Sequence, residues 1–287
     1  MAEPAEGCWW HGLLAGAAPG IRQQAIAAPA LRGLSRFAGR RGIPAEANFL
    51  LDYDVIEAFC VAGLRGRASS TRGTYRSALY RLAVPVHGPP GMRATPFPAA
   101  KAPPPYSLAE RAELTAIAAA QRDPAKRSPA LAMVVFGAGA GLRPGELVAL
   151  RGRDIARHRR QVVAEVSGPA ARVVPVTSHY AGRAAKLARG AGNGYLFRPG
   201  PADRGYKNFV TSFARALAAD PAAPRLSMSR CRASFICGHL AAGTSLGELL
   251  AITGIYQAES LARYARHVNG APSKAVLRAW DKTRQAR

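Results

Sequence analysis

Residues 226–268 read LSMSRCRASFICGHLAAGTSLGELLAITGIYQAESLARYARHV, and the rest of the chain is organised around them. Cys231, Phe235, Ile236 and Leu240 recur at helical spacing and Gly243 stands where a helix stops, which predicts one amphipathic helix over Ser229 to Ala242 carrying Arg232. Thr244 or Ser245 is suited to cap a second helix, whose apolar face is Leu246, Leu249, Leu250 and Ile252 and which ends at Gly254. A third runs from Ala258 to Arg266, with Leu261 and Tyr264 three apart on one face. Three short helices that bring an arginine and a phenol together can hold and attack a phosphate. The alternative is a half-buried packing tyrosine and a solvated arginine.

Upstream, Ser128 to Ala140 is an apolar run suited to a buried helix, and it leads into Gly141-Leu142-Arg143-Pro144-Gly145-Glu146-Leu147. Pro144 favours a first helical turn, so a helix is expected over Pro144 to Leu150 with Arg143 at its N-terminal edge. Backbone amides, the positive end of the helix dipole and the guanidinium together attract an anion. Glu146 is placed to orient Arg143, or to form a purely structural pair that closes the helix start. Next, Gln161 to Val166 and Arg172 to Thr177 are β-branched runs around Ser167-Gly168-Pro169-Ala170, a hairpin pattern, and Arg172 points towards whatever the hairpin covers. Tyr206 to Ala219 reads as an amphipathic helix. Ser107 with Glu110 forms a capping box that opens another, Ser107 to Gln121, with Leu108, Leu114 and Ile117 inward.

Before that point the chain changes character. Pro85, Pro89, Pro90, Pro96, Pro98 and Pro103-Pro104-Pro105 make residues 85–105 a stiff, extended connector between a helical part, 21–84, and a larger part, 106–287. Residues 1–20 read as a tail. Helices are expected near 21–41, 53–62 and 69–83, as a small all-helical bundle. The last, capped by Ser69, Ser70 or Thr71, carries Arg72 and Arg76 one turn apart, which suits a phosphate backbone or a solvated face equally.

The chain has 287 residues, 48% hydrophobic and 20% charged, enough for two folded domains with cores. Lys+Arg 40 against Asp+Glu 17 leaves a net charge of +23, which favours a polyanion such as DNA or RNA. Residues 101–287 hold 29 basic and 11 acidic side chains, against 11 and 6 in residues 1–100, so the larger part carries the stronger positive field. Arginine makes up 34 of the 40, a bias that GC-rich coding also produces. Cys8, Cys60, Cys231 and Cys237 lack metal-ligand spacing and fit small core residues in a reducing, cytoplasmic setting. Acidic residues stand near the N-terminus where a secretory signal needs basic ones. The longest apolar run, Leu131 to Leu142, is too short to span a bilayer, so no membrane partner is expected.

In combination, GLRPGEL followed by Asp154-Ile155, a hairpin containing RVVPV, a helix bearing Arg232 and a late Tyr264 within ARYARH resemble the tyrosine recombinase (phage integrase) family over most of the chain. The resemblance implies a mainly α fold with a small β-sheet, in which an N-terminal helical core-binding (SAM-like) domain and a C-terminal α+β catalytic domain clamp double-stranded DNA. It places catalytic roles on Arg143, Arg232 and Tyr264, beside which Arg72, Arg76 and Arg172 are the candidate DNA-binding residues. The implied reaction is site-specific recombination or integration. Two arginines neutralise charge on the non-bridging phosphate oxygens while Tyr264 attacks phosphorus and stores the bond as a 3′-phosphotyrosyl link. Neither a metal nor a cofactor is implied. Homo-oligomers on DNA, dimer to tetramer, are implied too, and the apolar stripe Val276, Leu277 and Trp280 is a candidate contact for them.

Several positions depart from the family pattern. Ser229 stands three residues before Arg232, where a histidine or similar group is usual, and Ala233 replaces the histidine that often follows that arginine. Ile255 follows Gly254 where histidine or tryptophan is usual. The general-acid lysine of the hairpin is absent, Ser167 lies near its place, and no lysine occurs between Lys126 and Lys186. An unprotonated 5′ oxygen is a poor leaving group, and each missing acid or base is worth roughly 10²- to 10⁴-fold in rate. His239 and His267 are conceivable substitutes. Three functions therefore stand side by side: a recombinase of full or reduced activity, a catalytically inactive DNA-binding or recombinase-partner protein of the same fold, and a basic RNA-associated protein. The last does not account for the ordered Arg, hairpin, Arg, Tyr series.

Overall fold

In the computed structural model, which describes residues 21–91, 94–98, 101–198, 209–217 and 222–268, the chain divides into two units, Met1–Lys101 and Ala102–Arg287. The tail with Cys8, the first residues of the helix expected from Tyr206, and the stripe Val276, Leu277 and Trp280 lie outside the described residues.

In the first unit, α1 (Ile21–Gly39), α2 (Ala47–Leu50), α3 (Tyr53–Ala58) and α4 (Ser69–His87) enclose Leu31, Leu34, Leu50, Ile56, Leu79 and Leu82. Asp52 starts α3 by accepting the backbone amides of Asp54 and Val55 at 2.8 and 3.3 Å. The helix then widens into a π-turn, Phe59–Gly63, which sets the Phe59 ring against Phe37 with centroids 5.6 Å apart. The helix expected to stop at Ala83 instead continues through Pro85 to His87. Pro85 is exposed, so the proline forfeits a hydrogen bond without burying the lost partner, and the turn at Gly88, φ 73°, ends the helix.

In the second unit α5 (Leu108–Ala119) is followed by α6 (Pro124–Gly139), whose Met133, Val134, Val135 and Phe136 are all buried. A helix apolar all round needs neighbours on every side, and α5, α8 (Ser178–Ala191) and α10 (Met228–Ala241) supply them. Ser107 and Glu110 form the capping box, and Leu114 points inward. Leu108, expected inward, is 77% exposed, because a side chain at the first helical position leans back off the packed face.

After α7 (Pro144–Ala149) comes a three-stranded antiparallel sheet in the order β1 (Ile155–His158), β2 (Gln161–Val166), β3 (Arg172–Pro175). The β2–β3 hairpin is the expected one, with Val166 opposite Arg172. Strand β1 is an addition: Ile155-Ala156-Arg157-His158 has no β-branched run to announce it. Helix α8 is another, its pattern broken in sequence by Gly182 and Gly190.

Helices α9 (Phe209–Ala216), α10, α11 (Leu246–Thr253) and α12 (Ala258–Ala265) complete the unit. Of the two candidate caps of α11, Ser245 is the one that forms: its hydroxyl accepts the Glu248 amide at 3.3 Å, and the Glu248 carboxylate accepts the Ser245 amide at 3.1 Å. Strand β3 packs on α11, and α12 packs on α10. Cys60, Cys231 and Cys237 are buried free thiols. Among the described residues no helix is long and apolar enough to cross a membrane, and no group of His, Cys, Asp and Glu is placed to hold a metal ion.

Gly141, just past α6, sits at φ 60°, and a Cβ there would collide with the Phe235 ring. Gly141→Ala combines left-handed strain with overpacking and is expected to cost about 2–4 kcal/mol. Urea unfolding measures this directly. Gly145→Ala, where the added methyl meets open space, is the control and should leave the midpoint unchanged or slightly raised.

Candidate functional site

A helix leaves its last carbonyls without helical partners, and at the end of α11 three consecutive ones each accept from a different arginine. Ile252 O takes Nε of Arg172 at 2.8 Å, Thr253 O takes Nη2 of Arg232 at 2.7 Å, and Gly254 O takes Nη2 of Arg143 at 2.6 Å. The negative end of the helix dipole adds to their hold on the cations. Arg232 donates a second hydrogen bond to the carbonyl of Gly141. Gly254 turns the chain at φ 61°, and a Cβ on it would lie 2.9 Å from Nη1 of Arg172.

One carboxylate, Glu146, partly balances these charges. Its Oε1 and Oε2 accept from Arg172 at 2.8 and 3.0 Å, and Oε2 also accepts the backbone amide of Arg143 at 2.7 Å. The Arg143 guanidinium stands 3.8 Å from Oε1. Burial pushes the Glu146 carboxyl up, but the Arg172 hydrogen bonds and the Arg143 amide outweigh it and hold the group below the usual carboxylate range. Burial, followed by the neighbouring positive charge of Arg143, pushes the Arg232 guanidinium down to about 10, which leaves it cationic at neutral pH.

Arg143 and Arg232 line one cleft of about 370 Å³ with Tyr264. The Arg143 side chain is 43% exposed, whereas Arg232 is 8% and Tyr264 5% exposed. The side chains of Tyr264 and Arg232 are close enough to interact electrostatically. Among the described residues lining the cleft there is no lysine and no histidine. Paired guanidiniums with a single carboxylate behind them present a forked set of donors that matches the oxygens of a phosphate.

The other residues singled out in the sequence lie elsewhere. Arg172 is buried, held by Glu146, Ile252 O and, at 3.0 Å, Ala170 O. In the first unit Arg72 donates to Cys60 O at 2.8 Å, and Arg76 to Glu57 at 3.3 Å and Thr95 O at 2.9 Å. Both stack their guanidiniums on Phe97, at 4.3 and 4.2 Å, so a phosphate reaching either has to share these partners. Ser229 bonds the Ser227 hydroxyl, Ala233 is fully buried, and Ser167 is exposed in the hairpin turn. His239 is bonded to Thr244 Oγ1 at 3.0 Å and His267 to Ala102 O at 3.2 Å, and neither lines the cleft.

The cleft also includes Tyr256, Gln257 and Ser260, which no sequence motif singled out, and Arg263, which lies within ARYARH but was given no role. Part of this was recoverable, since Gln257, Ser260 and Tyr264 follow helical spacing towards one face of α12.

No protein-family model matches the chain, and no curated protein sequence does. Solved structures match its architecture. The XerH site-specific recombinase bound to its difH substrate in a pre-cleavage complex superposes with a TM-score of 0.66 at 16% identity, covering 96% of this chain and 85% of that one. The chain has the tyrosine recombinase fold. A lambda integrase dimer bound to a COC′ core site shares the recombinase fold with a TM-score of 0.57 at 14% identity, over 92% of this chain and 95% of that one. The Tn1549 transposon integrase in complex with transposon right-end DNA gives 0.52 at 15% identity, over 82% and 85%. The mainly helical architecture with a small sheet, expected from the motif order, is thus the one observed.

Ionised Glu146 adds to the stability of the unit that carries the cleft. Its folded pKa lies below the ordinary 4.5, so the carboxylate stabilises the protein above that value and the contribution is lost as pH falls through the folded one. Between about pH 6 and about pH 3, the urea midpoint of wild type should fall more steeply than that of Glu146→Gln. Parallel slopes would show that the arginines do not hold the carboxylate.

Proposed function

We propose that this chain is a tyrosine-type site-specific recombinase or integrase that cleaves and rejoins double-stranded DNA through a 3′-phosphotyrosyl intermediate. The observation that carries the reading is the meeting of Arg143, Arg232 and Tyr264 in one cleft, from positions up to 121 residues apart in the chain. The two guanidiniums fork onto the non-bridging oxygens of a phosphodiester and stabilise the charge that builds on them. The Tyr264 oxygen attacks phosphorus, the bond to the 5′ oxygen breaks, and the protein keeps the phosphate as an ester until another 5′ hydroxyl displaces it. Arg172 serves this site from within, by holding Glu146, and Arg72 and Arg76 hold elements of the first unit.

The net charge of +23 and the likeness to recombinases solved on DNA support a duplex DNA partner. In this reading the protein acts on DNA in the cytoplasm, as a dimer to tetramer of its own copies. A second reading, a recombinase-fold protein that holds DNA or a partner recombinase without cutting, is favoured by the lack of lysine and histidine among the described residues of the cleft.

A duplex selected for binding from a randomised pool, then nicked so that the cut strand cannot reseal, distinguishes the two on a denaturing gel. Wild type should form a covalent adduct, Tyr264→Phe none, and Arg143→Ala roughly 10²- to 10³-fold less, with a smaller effect on binding. A bound duplex without adduct supports the non-cutting reading, and an adduct in Tyr264→Phe moves the nucleophile. Duplex DNA should outcompete structured RNA across a salt series; the reverse result would favour an RNA-associated role.

A further inference from the structure

A 5′ oxygen leaves readily only if a proton reaches it, and the cleft narrows which group can supply one. Among the described lining residues, Arg143 and Arg263 carry guanidiniums, which do not give up protons, buried Arg232 has both Nη atoms committed to the carbonyls of Gly141 and Thr253, and Gln257 offers only a neutral amide. The aliphatic hydroxyl of Ser260 is a far weaker acid than a phenol. With Tyr264 as nucleophile, Tyr256 is left.

Its placement suits a proton donor. Tyr256 stands in the four-residue link between α11 and α12, directly after Ile255, which follows the glycine whose carbonyl holds Arg143. It is 79% exposed, and its hydroxyl donates to the Pro169 carbonyl in the β2–β3 turn at 3.2 Å. The same ring borders the adjoining cavity formed with Ala170, Arg172 and Leu250. The phenol therefore stands at the mouth of the cleft on the hairpin side, held by a single exposed hydrogen bond that an incoming substrate oxygen can replace.

Resting on the strand-cleavage reading above, we propose that Tyr256 is a catalytic residue, the proton donor to the leaving 5′ oxygen. As the Tyr264 oxygen bonds to phosphorus, its own proton passes to solvent. The phosphorus–5′ oxygen bond breaks, its electron pair stays on oxygen, and that oxygen takes the phenolic proton of Tyr256. Water then reprotonates the phenolate. Resealing runs the same transfers backwards, with Tyr256 accepting the proton of the incoming 5′ hydroxyl as Tyr264 departs.

The test compares single-turnover cleavage of two nicked duplexes, one ordinary and one with sulfur in place of the bridging 5′ oxygen. Sulfur leaves as a stable thiolate and needs no proton. Tyr256→Phe keeps the ring and removes only the acid. It should cut the ordinary duplex roughly 10²- to 10⁴-fold more slowly than wild type, yet cut the sulfur duplex within a few-fold of wild type, with duplex binding unchanged. Equal loss on both duplexes, or no loss on either, overturns the proposal. Wild type that cuts only the sulfur duplex overturns it too, while leaving strand cleavage by Tyr264 intact. Wild type that cuts neither removes the cleavage reading itself, and the proton donor with it.

Discussion

The structure around the cleft depends on three consecutive carbonyls at the end of α11. Ile252, Thr253 and Gly254 each hold one arginine, and those arginines come from β3, from α10 and from the turn before α7. Helix ends elsewhere solve the problem of unpaired carbonyls with a cap or with water. Here the orphan carbonyls are used to bring three cations together, which otherwise repel and resist burial. Glu146 offsets part of that repulsion by bonding Arg172 through both oxygens. The positive charge left over is a preorganised field for an anion, set before any ligand arrives.

The same contacts dictate neighbouring features. The chain must turn tightly after Thr253 so that three successive carbonyls face three directions, and the Arg172 guanidinium leaves no space for a side chain at the turning residue. The hairpin must lie against α11, because Arg172 reaches back to Ile252. The buried helix α6 must end where it does, because the Gly141 carbonyl beyond it takes the second hydrogen bond of Arg232. A guanidinium buried this far is tolerated only when its donors are paired, and both of its Nη atoms are.

The positions at which the sequence departs from the family pattern fall in physically different places. Ala233 is packed in the core and Ser229 does not line the cleft, and neither side chain is an acid or base that could replace an imidazole. Ile255 lines the cleft and makes that wall apolar. The next residue, Tyr256, brings a hydroxyl back to the same rim from one position further along the chain. The cleft is thus rich in groups that bind a phosphate and poor in groups that exchange protons.

Helices α10 to α12, the Ser107–Glu110 capping box and the GLRPGEL turn were legible in the sequence because caps and apolar periodicity are local: they act over three or four residues. The same local rules misplaced the end of α4, where an exposed Pro85 does not stop the helix, and overlooked β1 and α8, whose cores are completed by distant partners. In combination, the GLRPGEL turn, the hairpin, the helix bearing Arg232 and the late Tyr264 were enough for the sequence to indicate the fold. It could not determine which arginine faces the cleft and which is locked inside. Arg172 meets Ile252 across 80 residues, Arg143 meets Gly254 across 111, and Tyr256 meets Pro169 across 87. Those pairings come from how helices and hairpin pack, and packing alone decided that Arg172 holds Glu146 while Arg143 and Arg232 line the cleft.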